Sequence, residues 1–308
     1  MLVGTCVLAT ACGAADPSAS SPGGIADAST TTAGTASPVA TTSSSPTSAG
    51  AFLPDPHRAV PTEPGSLARK LVITTEALRQ SVKRWTTSGP LYSGRAPRRV
   101  LLQALYQQRL YRAMGRDRQL GKRTLARLPG WLLGNARDNF SAGADLYSLA
   151  RSSHRHRVRV LTQRPEAPGI LLRYYRRAER RFGVSWTVLA AVNFIESKFG
   201  RVRSASSAGA QGPMQFIAST WAAYGMDGDV HDPHDAIMGA ANYLHASGAP
   251  HYYRRALYRY NPALQYVDAV LRYARQMRRD PSDYLEYYNW QVFVITRSGD
   301  RQLTGPGS

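Results

Sequence analysis

Two cysteines are all the chain has, and both, Cys6 and Cys12, fall within its first twelve residues. Everything after them is cysteine-free, which excludes a disulfide-stapled core. Acidic residues are also scarce: 20 stand against 39 basic ones, a net charge of +19 over 308 residues. An excess of that size calls for a polyanionic neighbour. Long apolar runs are missing as well. The opening twelve residues, MLVGTCVLATAC, carry no charge, but a membrane span needs about 20 apolar residues.

That short apolar head looks like the core and cleavage region of a secretory signal. Leu8-Ala9-Thr10-Ala11-Cys12-Gly13 resembles a bacterial lipoprotein cleavage box, with small residues ahead of a cysteine. Two outcomes stay open at this point, lipidation of Cys12 or a plain signal cut near Ala11. Either places the chain outside the cytoplasm, at the outer membrane face or in the wall. From Gly13 to Gly50, 34 of 38 residues are Ser, Thr, Ala, Pro or Gly. Such a stretch has too little apolar surface to offset its ordering entropy. We therefore divide the chain into a signal segment at 1–12 and a linker at 13–65, the latter a membrane tether if Cys12 is lipidated.

The positive charge is uneven. Between Leu67 and Val160 there are 20 basic and 4 acidic residues, against 15 and 11 between Pro165 and Trp290. Helical apolar spacing predicts helices over 66–85, 97–114, 121–128 and 132–149, with Gly115 as the stop of the second. Residues 66–160 thus read as a basic helical bundle without a catalytic constellation. Its partner would be an anionic wall polymer or membrane surface. Nucleic acid fits the charge but not the exported head. The cluster His154-Arg155-His156-Arg157 reads as a solvated basic turn, since two His at i and i+2 do not share a helix face.

Beyond 165 the charge falls but the helices continue. They are predicted over 166–182, over 186–199 after Ser185 as N-cap and ended by Gly200, and over 233–246 with Asp232 and Asp235 as a capping box. A further helix, capped by Asn261 and Pro262, runs to about 277 with Tyr266, Val267, Val270, Leu271 and Ala274 as its buried stripe. This segment, 165–287, is followed by 288–308, where 290–296 is β-branched and aromatic. A turn at 298–300 and a return over 301–304 predict a hairpin.

One carboxylate stands out. Leu189, Val192 and Asn193 share a helix face with Glu196. The glutamate therefore extends an apolar stripe in the last turn of its helix. Burial and the negative end of the helix dipole both disfavour its charged form. A carboxyl still protonated near neutrality is what a general acid needs; an ordinary solvated glutamate near Lys198 is the bland alternative. The residues after it are small, and Gly209 and Gly212 allow a ligand or another chain segment close to the backbone. Met214 and Gln215 end that loop, and Tyr243 and Tyr260 lie further on. His231 and His234 lack an evident third ligand, so we expect no metal, and no cofactor is implied.

Glu196-Ser197, then Ser206-x-x-Gly-Ala-x-Gly-x-Met-Gln ending at Gln215, then Tyr243-Leu244, then Tyr260-Asn261 resembles the signature of lytic transglycosylases. These carry a lysozyme-like soluble-transglycosylase domain, and the likeness covers roughly 168–277. Four elements in order are a far more specific signal than any one alone. Three details depart from the common form: Pro213 stands where Leu is usual, one extra residue precedes Ser206, and Arg259 stands where Ala often precedes the tyrosine. The resemblance implies a mainly α, lysozyme-like catalytic domain preceded by the basic bundle and followed by a short C-terminal β-hairpin. It implies peptidoglycan as substrate, cleaved at the β-1,4 MurNAc–GlcNAc bond without water to leave 1,6-anhydroMurNAc ends. Carried over by position, Glu196 is the acid/base. Met214, Gln215, Tyr243, Tyr260 and Asn261 line the sugar subsites, and Ser206, also placed at the substrate site, supports the loop or the glutamate. Two alternatives are a hydrolytic goose-type muramidase, with Asp227 or Asp229 holding a water, and a catalytically silent wall-binding lipoprotein.

Overall fold

The computed structural model describes residues 52–88, 95–152, 159–296 and 299–308. The signal segment with Cys12, most of the linker, and the histidine–arginine cluster at 154–157 lie outside them. The described chain is helical, closed by one hairpin. Four helices come first: α1 (Pro64–Ser88), α2 (Arg98–Arg116), α3 (Arg118–Leu125) and α4 (Gly130–Ser152). Glu63 starts α1 by accepting the backbone N–H groups of Gly65 (2.8 Å) and Ser66 (2.6 Å). Asp117 caps α3 in the same way, through Gln119 and Leu120. Gly115 does not stop α2. It lies inside the helix, where a Cβ would sit 3.2 Å from the Ala144 backbone nitrogen. Its lack of a side chain lets α2 and α4 approach closely.

Seven helices follow: α5 (Pro168–Phe182), α6 (Trp186–Ser197), α7 (Ala218–Tyr224), α8 (Pro233–Ala246), α9 (Tyr253–Tyr260), α10 (Leu264–Arg279) and α11 (Ser282–Tyr288). Asp232 caps α8 as expected, accepting from the Asp235 N–H at 3.0 Å. The reciprocal half of the box is absent: the Asp235 carboxylate instead takes the Asp229 N–H at 3.1 Å and faces His234. Asn261 does not cap α10. It ends α9, and α10 begins at Leu264 after Ala263 without a side-chain cap. The short helices α7, α9 and α11 were not legible, because seven or eight residues hold barely two periods of any stripe.

The hairpin pairs β1 (Phe293–Thr296) with β2 (Gly299–Gln302), antiparallel, with Thr296 opposite Gly299. The return strand thus starts two residues earlier than its β-propensity indicates.

The expected boundary near 160–165 does not separate two cores. One apolar cluster runs from Leu67 to Trp290 and takes side chains from both halves. Helix α4 lies along α10, and α1 touches α11. Asp138 of α4 takes both Arg275 (2.5 Å) and Arg279 (3.2 Å) of α10, and Asp145 takes Arg272 at 2.6 Å. Gln107 of α2 donates to Glu286 of α11 at 2.9 Å and accepts from the Trp290 indole at 3.1 Å. The linker expectation also ends early. From residue 52 the chain is held on α2 by Gln103 to the Phe52 carbonyl (2.6 Å), Tyr106 to Ala59 (3.1 Å) and Arg109 to Pro56 (2.8 Å). Among the described residues, no helix is long and apolar enough to cross a membrane.

Candidate active site

Glu196 sits in the last turn of α6, a helix whose residues are all buried. Its neighbours Leu189, Val192 and Asn193 are fully buried, and Glu196 itself is 3% exposed, so the apolar-stripe reading holds. Burial pushes its carboxyl up to about 8. Two weaker influences pull the other way: a hydrogen bond from the Tyr266 hydroxyl (2.7 Å) and the Lys198 cation. Tyr266 is the residue the sequence placed on a buried stripe without giving it a task. It comes from α10, 70 positions later.

The helix ends in strained backbone. Lys198, Phe199 and Gly200 have φ of 54°, 61° and 83°, three left-handed residues in a row, two of them with side chains. The helix therefore stops before Phe199, earlier than the periodicity predicts. The Ser197 hydroxyl holds the turn: it donates to the Pro213 carbonyl (2.5 Å) and accepts the Gly200 N–H (2.8 Å). Residues 197 and 213 are thereby tied, which sets the loop against the end of the Glu196 helix. Within that loop, Gln211 and Phe216 exchange backbone hydrogen bonds at 2.9 and 2.8 Å. Gly212, at φ 72°, lies so close to the Val230 carbonyl that any Cβ would overlap it. The close approach that glycine permits here is to another chain segment.

Each residue proposed for the sugar subsites now has a place. Met214 is fully buried, and its carbonyl accepts from the Tyr260 hydroxyl at 2.6 Å. Gln215 has φ 51°, donates its amide to the Gly212 carbonyl at 2.9 Å and leaves its Oε1 unpartnered. The Tyr260 ring stacks parallel to Tyr266 (6.5 Å, 4°) and packs on Tyr243 at 5.7 Å. Tyr243 donates to the Arg259 carbonyl at 2.9 Å. Asn261 is 2% exposed with its Oδ1 unpartnered. Met214, Tyr260, Tyr243 and Glu196 are thus joined through Tyr266. Ser206 stands apart as a loop brace, its Oγ accepting the N–H groups of Ala208 (3.2 Å) and Ala210 (3.0 Å).

Glu196 also lines a cavity that the sequence could not foresee. Its walls are Tyr111, Arg112 and Arg116 of α2, Asn139 and Tyr147 of α4, and Trp290 and Phe293 near the hairpin. No second carboxylate lines it among the described residues. Asp300 of the hairpin holds Arg112 at its edge (2.8 Å), and the Arg112 guanidinium lies over the Phe293 ring at 4.6 Å. The basic bundle and the hairpin therefore build one side of the glutamate's surroundings. Asp229, offered as a water holder for hydrolysis, is occupied with the loop before α8, where its Oδ1 accepts the His231 N–H at 2.8 Å. Asp232, His234 and Asp235 bring three ligand-type atoms within 4.8 Å of one another. Their hydrogen bonds serve the start of α8.

Comparison with known proteins bears on the same stretch. The transglycosylase SLT domain family matches residues 173–280. The chain is 29% identical over 119 residues to membrane-bound lytic murein transglycosylase F 1 of Alkalilimnicola ehrlichii, covering 36% of this chain and 24% of that protein. It thus spans about a quarter of the length of that relative. No solved structure matches. The glutamate, its loop and its tyrosines all lie within the residues that match the transglycosylase SLT domain.

Proposed function

We propose that the protein is a peptidoglycan lytic transglycosylase in which Glu196 serves first as acid and then as base. The observation that carries this is a carboxyl that is buried, raised to about 8 and bonded to Tyr266, on a residue that lines a cavity with no second carboxylate among the described residues. Two-carboxylate glycosidases place a nucleophile or a water-activating base opposite the acid. Here the substrate must supply its own nucleophile. Glu196, protonated at neutral pH, gives its proton to the glycosidic oxygen as the bond to the anomeric carbon breaks. The carboxylate so formed takes the proton of the muramic acid 6-hydroxyl. That oxygen closes on the anomeric carbon, giving a 1,6-anhydro ring and restoring the acid, with no water consumed. Tyr266 steadies the carboxyl in both states. The unpartnered Gln215 Oε1 and Asn261 Oδ1 are acceptors suited to sugar hydroxyl or acetamido donors. An extracytoplasmic location at the wall, with anionic wall polymers or membrane against the basic bundle, completes the reading.

Digestion of purified peptidoglycan followed by mass spectrometry tests it. Anhydro-muropeptides are the expected product. Reducing ends, heavier by one water, would assign the chain to hydrolysis instead. Pelleting with walls but no released product would favour the silent wall-binding alternative.

A further inference from the structure

Five residues after Glu196, Arg201 is buried at 6% exposure. A buried guanidinium cannot shed its charge and is normally paired. Arg201 has no carboxylate partner among the described residues. One of its nitrogens donates to the Lys198 carbonyl at 3.0 Å, and its plane lies over the Tyr288 ring at 4.8 Å. Burial holds its pKa below the ordinary arginine value. The guanidinium lines a cleft separate from the Glu196 cavity, at the start of α5.

Three further features of that cleft point to a ligand. Arg95 and Arg164 also line it, and among the described residues Glu166 is its one acidic member. Glu166 is turned to its own neighbour, accepting the Ala167 N–H at 2.9 Å. Three arginines against one glutamate leave an excess of positive charge. Second, α5 begins at this cleft, and its N-cap residue Ala167 has no side chain to cap the first turn, so the partial positive end of the helix adds to the positive field there. Third, Asn289 is fully buried and lines the cleft with Oδ1 unpartnered. Its Nδ2 donates to the Leu285 carbonyl at 2.7 Å, which fixes Oδ1 as an acceptor.

We propose that this cleft is a binding site for a peptide carboxylate, with the anion on Arg201 and an adjacent amide N–H on Asn289. A buried acceptor without a donor and a buried cation without a carboxylate, in one cleft, match a ligand that carries both a donor and an anion. An acylated amino acid has that pair; inorganic phosphate near neutrality has the anion and at most a weaker match to Asn289. Because Arg201 bonds the Lys198 carbonyl, an occupant would brace the strained turn that follows Glu196. Equating the peptide with the stem of a glycan strand rests on the function proposed above; the binding site itself does not.

Calorimetric titration of the full chain tests this with three probes: N-acetyl-alanyl-alanine, its C-terminal amide, and inorganic phosphate. The free acid is expected to bind saturably, with the amide at least about tenfold weaker, as loss of a charge-assisted pair requires. Arg201→Met should weaken the acid by a similar factor. Arg164→Gln, at an exposed position, should weaken it about two- to fivefold by loss of a nearby charge, and it serves if the buried variant does not fold. No saturable binding of the acid, or unchanged binding in the folded variants, would overturn the site. Phosphate binding as tight as the acid would overturn the peptide assignment. Binding is read without glycan cleavage, so failure here leaves the role of Glu196 standing, and the reverse also holds.

Discussion

The helices before residue 152 and those after 168 differ far more in charge than in burial. The first region carries 20 basic residues against 4 acidic over Leu67–Val160, the second 15 against 11 over Pro165–Trp290. Composition alone makes the first look like a separate wall-binding module and the second like the enzyme. Packing contradicts that separation. Two of the first region's four acids, Asp138 and Asp145, are spent on arginines of α10, which leaves its outward surface still more basic. Its apolar residues continue the core beneath Glu196, and its arginines and tyrosines wall the cavity the glutamate lines. Surface charge and interior packing are independent properties of a helix, and only the first is visible as a count.

If the chemistry resides in one region alone, the largest effect should follow from one atom. Glu196→Gln removes the titratable proton while keeping shape, and is expected to lower cleavage by about 10²–10⁴-fold with no loss of melting temperature. Retained turnover would place the acid elsewhere. The opposite test asks whether the two regions are one body. Phe194 packs on Phe199, Tyr273, Tyr287 and Trp290 at ring distances of 4.9–5.8 Å. Truncation to Ala should cost about 3–5 kcal/mol. Unfolding should remain a single transition by far-UV and near-UV dichroism; two separated transitions would restore the two-module picture.

A smaller change sharpens the role of α10. Glu196 must be protonated to act as acid, so turnover should fall as pH rises through about 8. The Tyr266 hydrogen bond favours the charged form. Tyr266→Phe should therefore move that alkaline limb upward and lower the maximal rate several-fold, by loss of about one hydrogen bond. An unshifted limb would mean that Tyr266 does not touch the working carboxyl. The smallest effect concerns the seam. Glu286 of α11, bonded to Gln107 of α2, is raised by burial from 4.5 to about 7. The folded state thus holds this proton more tightly than the unfolded state. Its contribution is complete below about 4.5 and fades as pH rises through about 7. Glu286→Gln should flatten the decline of melting temperature over that window, and an identical pH profile in the variant would refute it.

Part of the candidate site's framework is legible in the sequence. Glu196 continued an apolar stripe, and the order of the motif from Ser197 to Asn261 located the loop and the tyrosines. What failed was local punctuation and long-range pairing. Gly115 looked like a helix stop because glycine often is one, but it marks a helix crossing. Asn261 before Pro262 looked like a cap, yet it ends the preceding helix with a bare acceptor. Residues 52–63 fall to the linker by sequence because helical apolar spacing begins only at 66. They are held instead by side chains of α2, which their own sequence does not contain.

The sequence by itself determined that this chain is helical, that one carboxyl lies on an apolar face at a helix end, and that a small-residue loop and tyrosines follow in a set order. These are consequences of side-chain period and backbone preference, which act within a few residues. Only the tertiary structure decided that Tyr266, 70 residues on, bonds that carboxyl, that the basic helices wall a cavity beside it, and that Arg201 is buried without a counter-ion among the described residues. An apolar stripe specifies that a face must be covered, while the identity of the cover depends on how distant helices pack.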